Sequence, residues 1–185
     1  MKKLETIQKL AKAGKILSKI VYVLSIVGVV CGFVSLLLMI FLQDSMLNNR
    51  ELMEFIQAKE KTIGDMYAEI VIMIVSCGVE IYVSHEAEKY FALELEEKTP
   101  FTEKCSKGIF RLGVIVLISG IATALLSVVI AAIFAKTMGM SYEYTTNVNG
   151  IGLGVAFLIT SVIFGYGSNI LNENKNVEEN QKENN

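Results

Sequence analysis

The stretch LGVIVLISGIATALLSVVIAAIFA, Leu112 to Ala135, decides the fold of this chain: it contains neither a charged residue nor a proline. A helix rises about 1.5 Å per residue, so a run this long exceeds the roughly 30 Å hydrocarbon thickness of a bilayer. Three more apolar stretches surround it, at Ile20 to Leu42, Met66 to Val83 and Ile151 to Leu171, and of these only the second carries charge, at Glu69 and Glu80. The sequence therefore predicts an all-α polytopic membrane protein, an antiparallel bundle of four transmembrane helices. With 52% hydrophobic residues in 185 and a mean hydropathy of +0.49, no separate soluble domain fits. The bilayer is the one partner this pattern requires.

Lysine and arginine set the orientation, because cytoplasmic flanks of membrane helices carry their excess. By alternation, Lys2, Lys3, Lys9, Lys12, Lys15, Lys19, Lys89, Lys98, Lys104, Lys107, Arg111, Lys175 and Lys182 fall on one side. Only Arg50, Lys59, Lys61 and Lys136 fall on the other. Both termini are thus expected in the cytoplasm, as an even number of spans requires. The first span should be a retained anchor, since its run is longer than the roughly 7 to 15 residues of a signal h-region and no small-x-small cleavage site follows it.

Three segments result. Residues 1–19 form a basic amphipathic leader, with Leu4, Ile7, Leu10, Ala11, Gly14 and Leu17 at helical spacing between the lysines. Residues 20–171 form the membrane domain. Residues 172–185, almost wholly Asn, Glu, Gln and Lys, are too polar to bury anything and are expected to be disordered. Outside the cell, Asp44 to Asp65 is expected to hold one amphipathic helix carrying Leu52, Met53, Phe55 and Ile56, and Thr137 to Gly150 a polar loop. Tyr22, Tyr82, Tyr90 and Tyr166 near one set of span ends, and Tyr67, Tyr142 and Tyr144 near the other, are placed as interfacial anchors.

The inventory argues against an enzyme. Cys31, Cys77 and Cys105 show no CxxC spacing and there is one histidine, so neither a disulfide, a metal centre nor another cofactor is expected. His85-Glu86 opens like a zinc-protease HExxH, but Lys89 stands where the second histidine belongs. A serine triad would need His85 to meet Asp44 or Asp65, which the topology puts across the membrane. No basic, aromatic-interleaved pattern suggests nucleic acid.

Small residues recur every fourth position, and in lipid such stripes let helix backbones approach closely. Gly28 and Gly32 make a GxxxG in the first span, Gly120 and Ala124 a related pair in the third, and Gly150 with Gly154 another in the fourth. These serve packing within the bundle, or a homo-oligomer through Gly28 and Gly32. The second span offers a candidate polar face: Glu69 and Glu80, eleven residues apart, fall about 20° apart around a helix at 100° per residue, with Ser76 between them. Intramembrane carboxylates mark ion or proton paths, but both lie near span ends, from which they can also reach the interface. Ser35, Ser119, Thr123, Ser127, Thr160 and Ser161 are hydroxyls able to bond a protonated carboxyl.

The connection from Ser84 to Lys107 is the candidate partner surface. Its first half continues the second helix; then Pro100, the only proline, disfavours helix at Thr99, and Thr102 followed by Glu103 supplies a cap and a first-turn acid. A docking turn of Thr99, Pro100, Phe101, Thr102 and Lys104 follows. Phe91, Leu93 to Glu97, Thr99 to Thr102 and the apolar span after Arg111, Leu112 and Gly113 make the chain similar to an uncharacterised family of small bacterial four-helix integral membrane proteins with a PF turn between helices two and three. Where members often carry a glycine before the turn, this chain has Glu97 and Lys98. The resemblance implies a bacterial plasma-membrane setting, a shared Pro100 turn and no particular chemistry. Two functions are expected from the sequence: a non-enzymatic interaction or regulatory protein meeting a cytoplasmic protein partner through this connection, or a small transporter or channel subunit using Glu69 and Glu80.

Overall fold

Apolar runs without proline give long helices, and the only proline sits where the longest interruption in helix of the central part falls. The computed structural model describes residues 2–48, 62–138 and 149–183, and these are four α-helices with no strand among them. They are α1 (Lys2–Asn48), α2 (Ile63–Glu97), α3 (Glu103–Met138) and α4 (Asn149–Glu183). All four are long and apolar enough to cross a membrane. Their most apolar windows are only 11–17% buried by the protein itself, and Leu125, Phe41 and Val162 are among many large apolar side chains left open. A surface this greasy needs an apolar solvent. The amphipathic segment expected at Leu52 to Ile56 lies outside the described residues, as does nearly all of the expected polar loop.

Helix ends are fixed by local chemistry. At the start of α2 the Thr62 hydroxyl accepts from the Asp65 backbone N–H at 3.2 Å, while the Asp65 carboxylate accepts from the Thr62 N–H at 2.6 Å. This is a reciprocal capping box with aspartate in the third helical position, and it accounts for Asp65 being 1% exposed. At the start of α3, Thr102 takes the Cys105 N–H at 3.2 Å, the cap its position before Glu103 predicts. At the end of α2, Lys98 adopts the left-handed conformation, φ 60°, before Thr99 and Pro100 stop the helix. Glycine meets that backbone demand without the Cβ penalty, at some entropic cost. Lys98→Gly is accordingly expected to raise stability by about 0.5 kcal/mol, and Lys98→Val to lower it by about 1 kcal/mol, in thermal unfolding in detergent.

Helix α4 differs from expectation at its end. It continues through the polar segment to Glu183, whereas disorder was expected from Asn172. Adding turns to an existing helix needs no new nucleus, the last glycine is Gly167, and Glu, Lys and Gln are good helix formers. Hydropathy alone does not register that. The leader and first span likewise form one unbroken helix. In its first eighteen residues the buried positions among those described are the small Ala11 and Ser18, while Leu10 and Leu17, expected on the same apolar stripe, stay exposed.

The chain divides into two compact units. One comprises residues 22–82 and 121–148. Within it α1 and α2 run in opposite directions, Gly28 against the Cys77 side chain and Gly32 against Ile74. The GxxxG of the first span thus has an occupant from the same chain. The other unit comprises residues 1–21, 83–120 and 149–185. Its core is Tyr90, Ile109, Leu112 and Val116, flanked by Val83, Ala87, Phe91, Phe157 and Phe164. Tyr90, expected as an interfacial anchor, is 6% exposed, its ring edge-on to Phe91 at 5.3 Å. Helices α3 and α4 are antiparallel here, with Gly120 beside Gly150 and Gly154 directly against the Leu117 backbone.

Candidate functional site

The polar face expected on α2 is only partly assembled. Glu69 and Ser76 are half-buried, and Glu80 is exposed. Glu80 accepts a hydrogen bond from the Ser25 hydroxyl of α1 at 3.1 Å. Eleven residues of helix, about 16 Å of rise, separate it from Glu69. At Glu80 the hydroxyl partner is Ser25, outside the set that the sequence offers. Three of that set bond backwards instead: Ser119 to the Val116 carbonyl, Thr160 to that of Ala156 and Ser161 to that of Leu158. Serine and threonine inside helices do this readily, which removes them from the pool of partners.

The turn between α2 and α3 is built and packed. Pro100 is buried, Cys105 is fully buried, and the Cys105 thiol lies 3.6 Å from the Thr99 carbonyl. The Phe101 N–H donates to the Thr99 hydroxyl at 3.3 Å. Phe101 then packs edge-on to Phe164 of α4 at 5.5 Å and over Gly167. Gly14 of α1 receives the ring of Phe91 in the same unit, so the basic leader is anchored beside the end of α2. Lys104 pairs with Glu97 at 2.9 Å across the turn, and Lys107 with Glu103 at 2.6 Å along α3. These two pairs are solvent-facing and contribute little stability. They leave the turn's outer face densely charged, with both signs interspersed.

One constellation escaped the sequence reading. The Glu86 side chain is 7% exposed, yet it is charged and doubly paired: Lys89 reaches one oxygen at 2.7 Å and Arg111 the other at 3.0 Å. The hydrogen bond from Lys89, with the charges of Arg111 and His85 behind it, holds the carboxyl below its usual range despite burial. Lys89 occupies the place that a zinc protease would give its second histidine. Here it is a cation serving the glutamate. The signal was present as Glu and Lys at i, i+3 on one helix; Arg111, 22 residues further on, is joined to them only by the fold. A cavity of about 140 Å³ opens on this group, lined by Glu86, Lys89, Tyr90, Leu93, Gly108, Arg111 and Leu112. Among the described residues no cluster of three or more metal-ligating side chains occurs.

About two turns past Glu86 along α2, burial holds the Glu94 carboxyl above its ordinary range, outweighing the opposing influence of the Tyr90 hydroxyl. Burial likewise pushes the Tyr90 hydroxyl and the Cys105 thiol up. Glu86 and Glu94 therefore act oppositely on stability. As pH falls toward 4.5, the ordinary carboxyl value, the folded chain takes up a proton at Glu94 before the unfolded chain does, which stabilises it. Below that value the unfolded chain protonates its glutamate first while folded Glu86 resists, and stability is lost. A melting temperature recorded against pH should pass through a maximum near the ordinary carboxyl range, and Glu94→Gln should flatten its high-pH limb only.

What the geometry defines is a chain of four membrane-length helices with a rigid, charged connection between α2 and α3. No family model, no curated protein and no solved structure matches this chain.

Proposed function

We propose that this chain is a multi-pass protein of a bacterial plasma membrane, with both termini in the cytoplasm, that acts without enzymatic chemistry as an interaction or regulatory module. Its working surface is the α2–α3 connection, which meets a cytoplasmic protein partner. The observation that carries this reading is where rigidity is invested. Pro100, Cys105 and Tyr90 are buried in and around the turn while Glu96, Lys98, Glu103, Lys104 and Lys107 stay open above them. A packed scaffold under a charged, mixed-sign surface supports recognition that is preorganised and selective. The bias of basic residues supports the sidedness.

The test is a photo-crosslinking amino acid placed at Lys98 or Lys104 in the living cell. One recurring partner should be captured at both positions, should be missing when the probe sits at Asn174 on α4, and its capture by the probe at position 98 should fall away with Lys104→Glu. A capture pattern identical at Asn174 would sink the reading. The second reading, a transporter or channel subunit using Glu69 and Glu80, is favoured by one contact, that of Ser25 with Glu80 between apolar helices. It is to be dropped if Glu69→Gln and Glu80→Gln leave ion flux in proteoliposomes unchanged.

A further inference from the structure

From the group formed by Glu86, Lys89 and Arg111 we infer a binding site for the phosphate of an anionic headgroup, taken from an acidic phospholipid of the adjoining leaflet. This goes beyond the docking role and does not depend on it. The level is right: Glu86 lies three residues after the apolar stretch that ends at Val83, and Arg111 immediately before the one that begins at Leu112. That is the depth of the headgroups in a bilayer. The donors are right as well. Arg111 and Lys89 each give one short contact to Glu86, and both side chains remain more than half exposed, at 68% and 58%. An arginine has five N–H donors and a lysine three, so most of theirs remain available to phosphate oxygens.

The buried carboxylate holds the two cations in place rather than cancelling them. Two positive charges around one negative leave a net positive site, and cations already fixed in position lose little freedom on binding. The cavity at their feet, about 140 Å³, is well below the roughly 300 Å³ at which pockets for drug-sized ligands begin. It suits a compact anion and excludes a nucleotide. Leu112 on its wall, the first residue of the third apolar stretch, suits the glycerol and first methylenes of a lipid. Gly14 seated on Phe91 brings Lys12 and Lys15 of α1 within a turn of the level of Lys89, which adds positive potential at the same depth.

The full chain in vesicles of equal phosphatidylglycerol and phosphatidylcholine, probed with spin-labelled versions of each lipid, tests this. We expect saturable immobilisation of phosphatidylglycerol over phosphatidylcholine. Removing Lys89 and Arg111 together strands Glu86, so the decisive variant carries Glu86→Gln, Lys89→Gln and Arg111→Gln, with retained helicity checked by circular dichroism. It should lose about twenty-five-fold in preference, about fivefold for each of the two cations. Lys104→Gln, more exposed at 75% but on the turn, should change the preference less than twofold. Inorganic phosphate added at millimolar concentration separates the sources: failure to displace the labelled lipid assigns the site to a membrane headgroup, and displacement assigns it to a free phosphate. Equal losses from Lys104→Gln and from the triple variant would mean diffuse surface charge and would overturn the site. So would the absence of any preference.

Discussion

Replacing Gly154 with leucine is expected to disrupt the packing of α3 on α4 at a cost of at least 3 kcal/mol, read as loss of the cooperative thermal transition in detergent. A Cβ at Gly154 would stand 2.8 Å from the Leu117 nitrogen and 2.9 Å from its Cα, both of them backbone atoms. Backbone inside a helix cannot yield without breaking its own hydrogen bonds, so the two helices must move apart. In lipid there is no hydrophobic drive to restore their contact, which rests on close van der Waals approach. Alanine, with the Cβ alone, should cost about 1–3 kcal/mol as an overpacking change. The same substitution at Gly152, two residues away, meets nothing within 4 Å and should be neutral or stabilising by about 0.5 kcal/mol. Gly28 should give an intermediate result, because the atom its Cβ would approach is the Cys77 sulfur, which can rotate away. A series in which Gly152 and Gly154 respond alike would contradict this helix pairing.

Stripping Glu86 of both cations by Lys89→Ala with Arg111→Ala should cost about 2–3 kcal/mol. Breaking a buried pair normally costs about 3–5 kcal/mol, because a charge is left in a poorly solvated place. The lower figure applies because both cations are largely exposed and water screens them already. Each single substitution should cost about 1 kcal/mol, since the remaining cation still holds the carboxylate, and the pair should therefore be more than additive. Adding Glu86→Gln should restore most of the loss. The pH dependence supplies an independent check: in the double variant the carboxyl is no longer held low, so the loss of stability below pH 4.5 should disappear. If the double variant melts with the wild type at neutral pH, Glu86 is solvated in a way its 7% exposure denies.

How much of this was legible in the sequence depends on the range of the interaction. The membrane-length helices are readable from Leu112 to Ala135 and its counterparts because hydropathy is a property of consecutive residues. The turn is readable from Thr99, Pro100, Thr102 and Glu103 because capping acts over three residues. Lys98 in the left-handed conformation was half readable, as the place where a glycine would be expected. Glu86 was not, since its meaning depends on Arg111 arriving from another helix. Ser25 was missed for the same reason: nothing in sequence links it to Glu80. The persistence of α4 past Asn172 is not legible in hydropathy, because helix propensity rather than polarity carries it.

Cys105 has a practical consequence. Its thiol is fully buried, burial raises its pKa, and it is tucked under the Thr99 carbonyl of the very turn that is assigned the docking role. Alkylation needs a thiolate in contact with reagent, so chemical modification there must wait for the loop to come open. The rate at which an aqueous maleimide consumes this one sulfur is thus a clock for spontaneous opening, and a bound partner that clamps the loop should make that clock run slower.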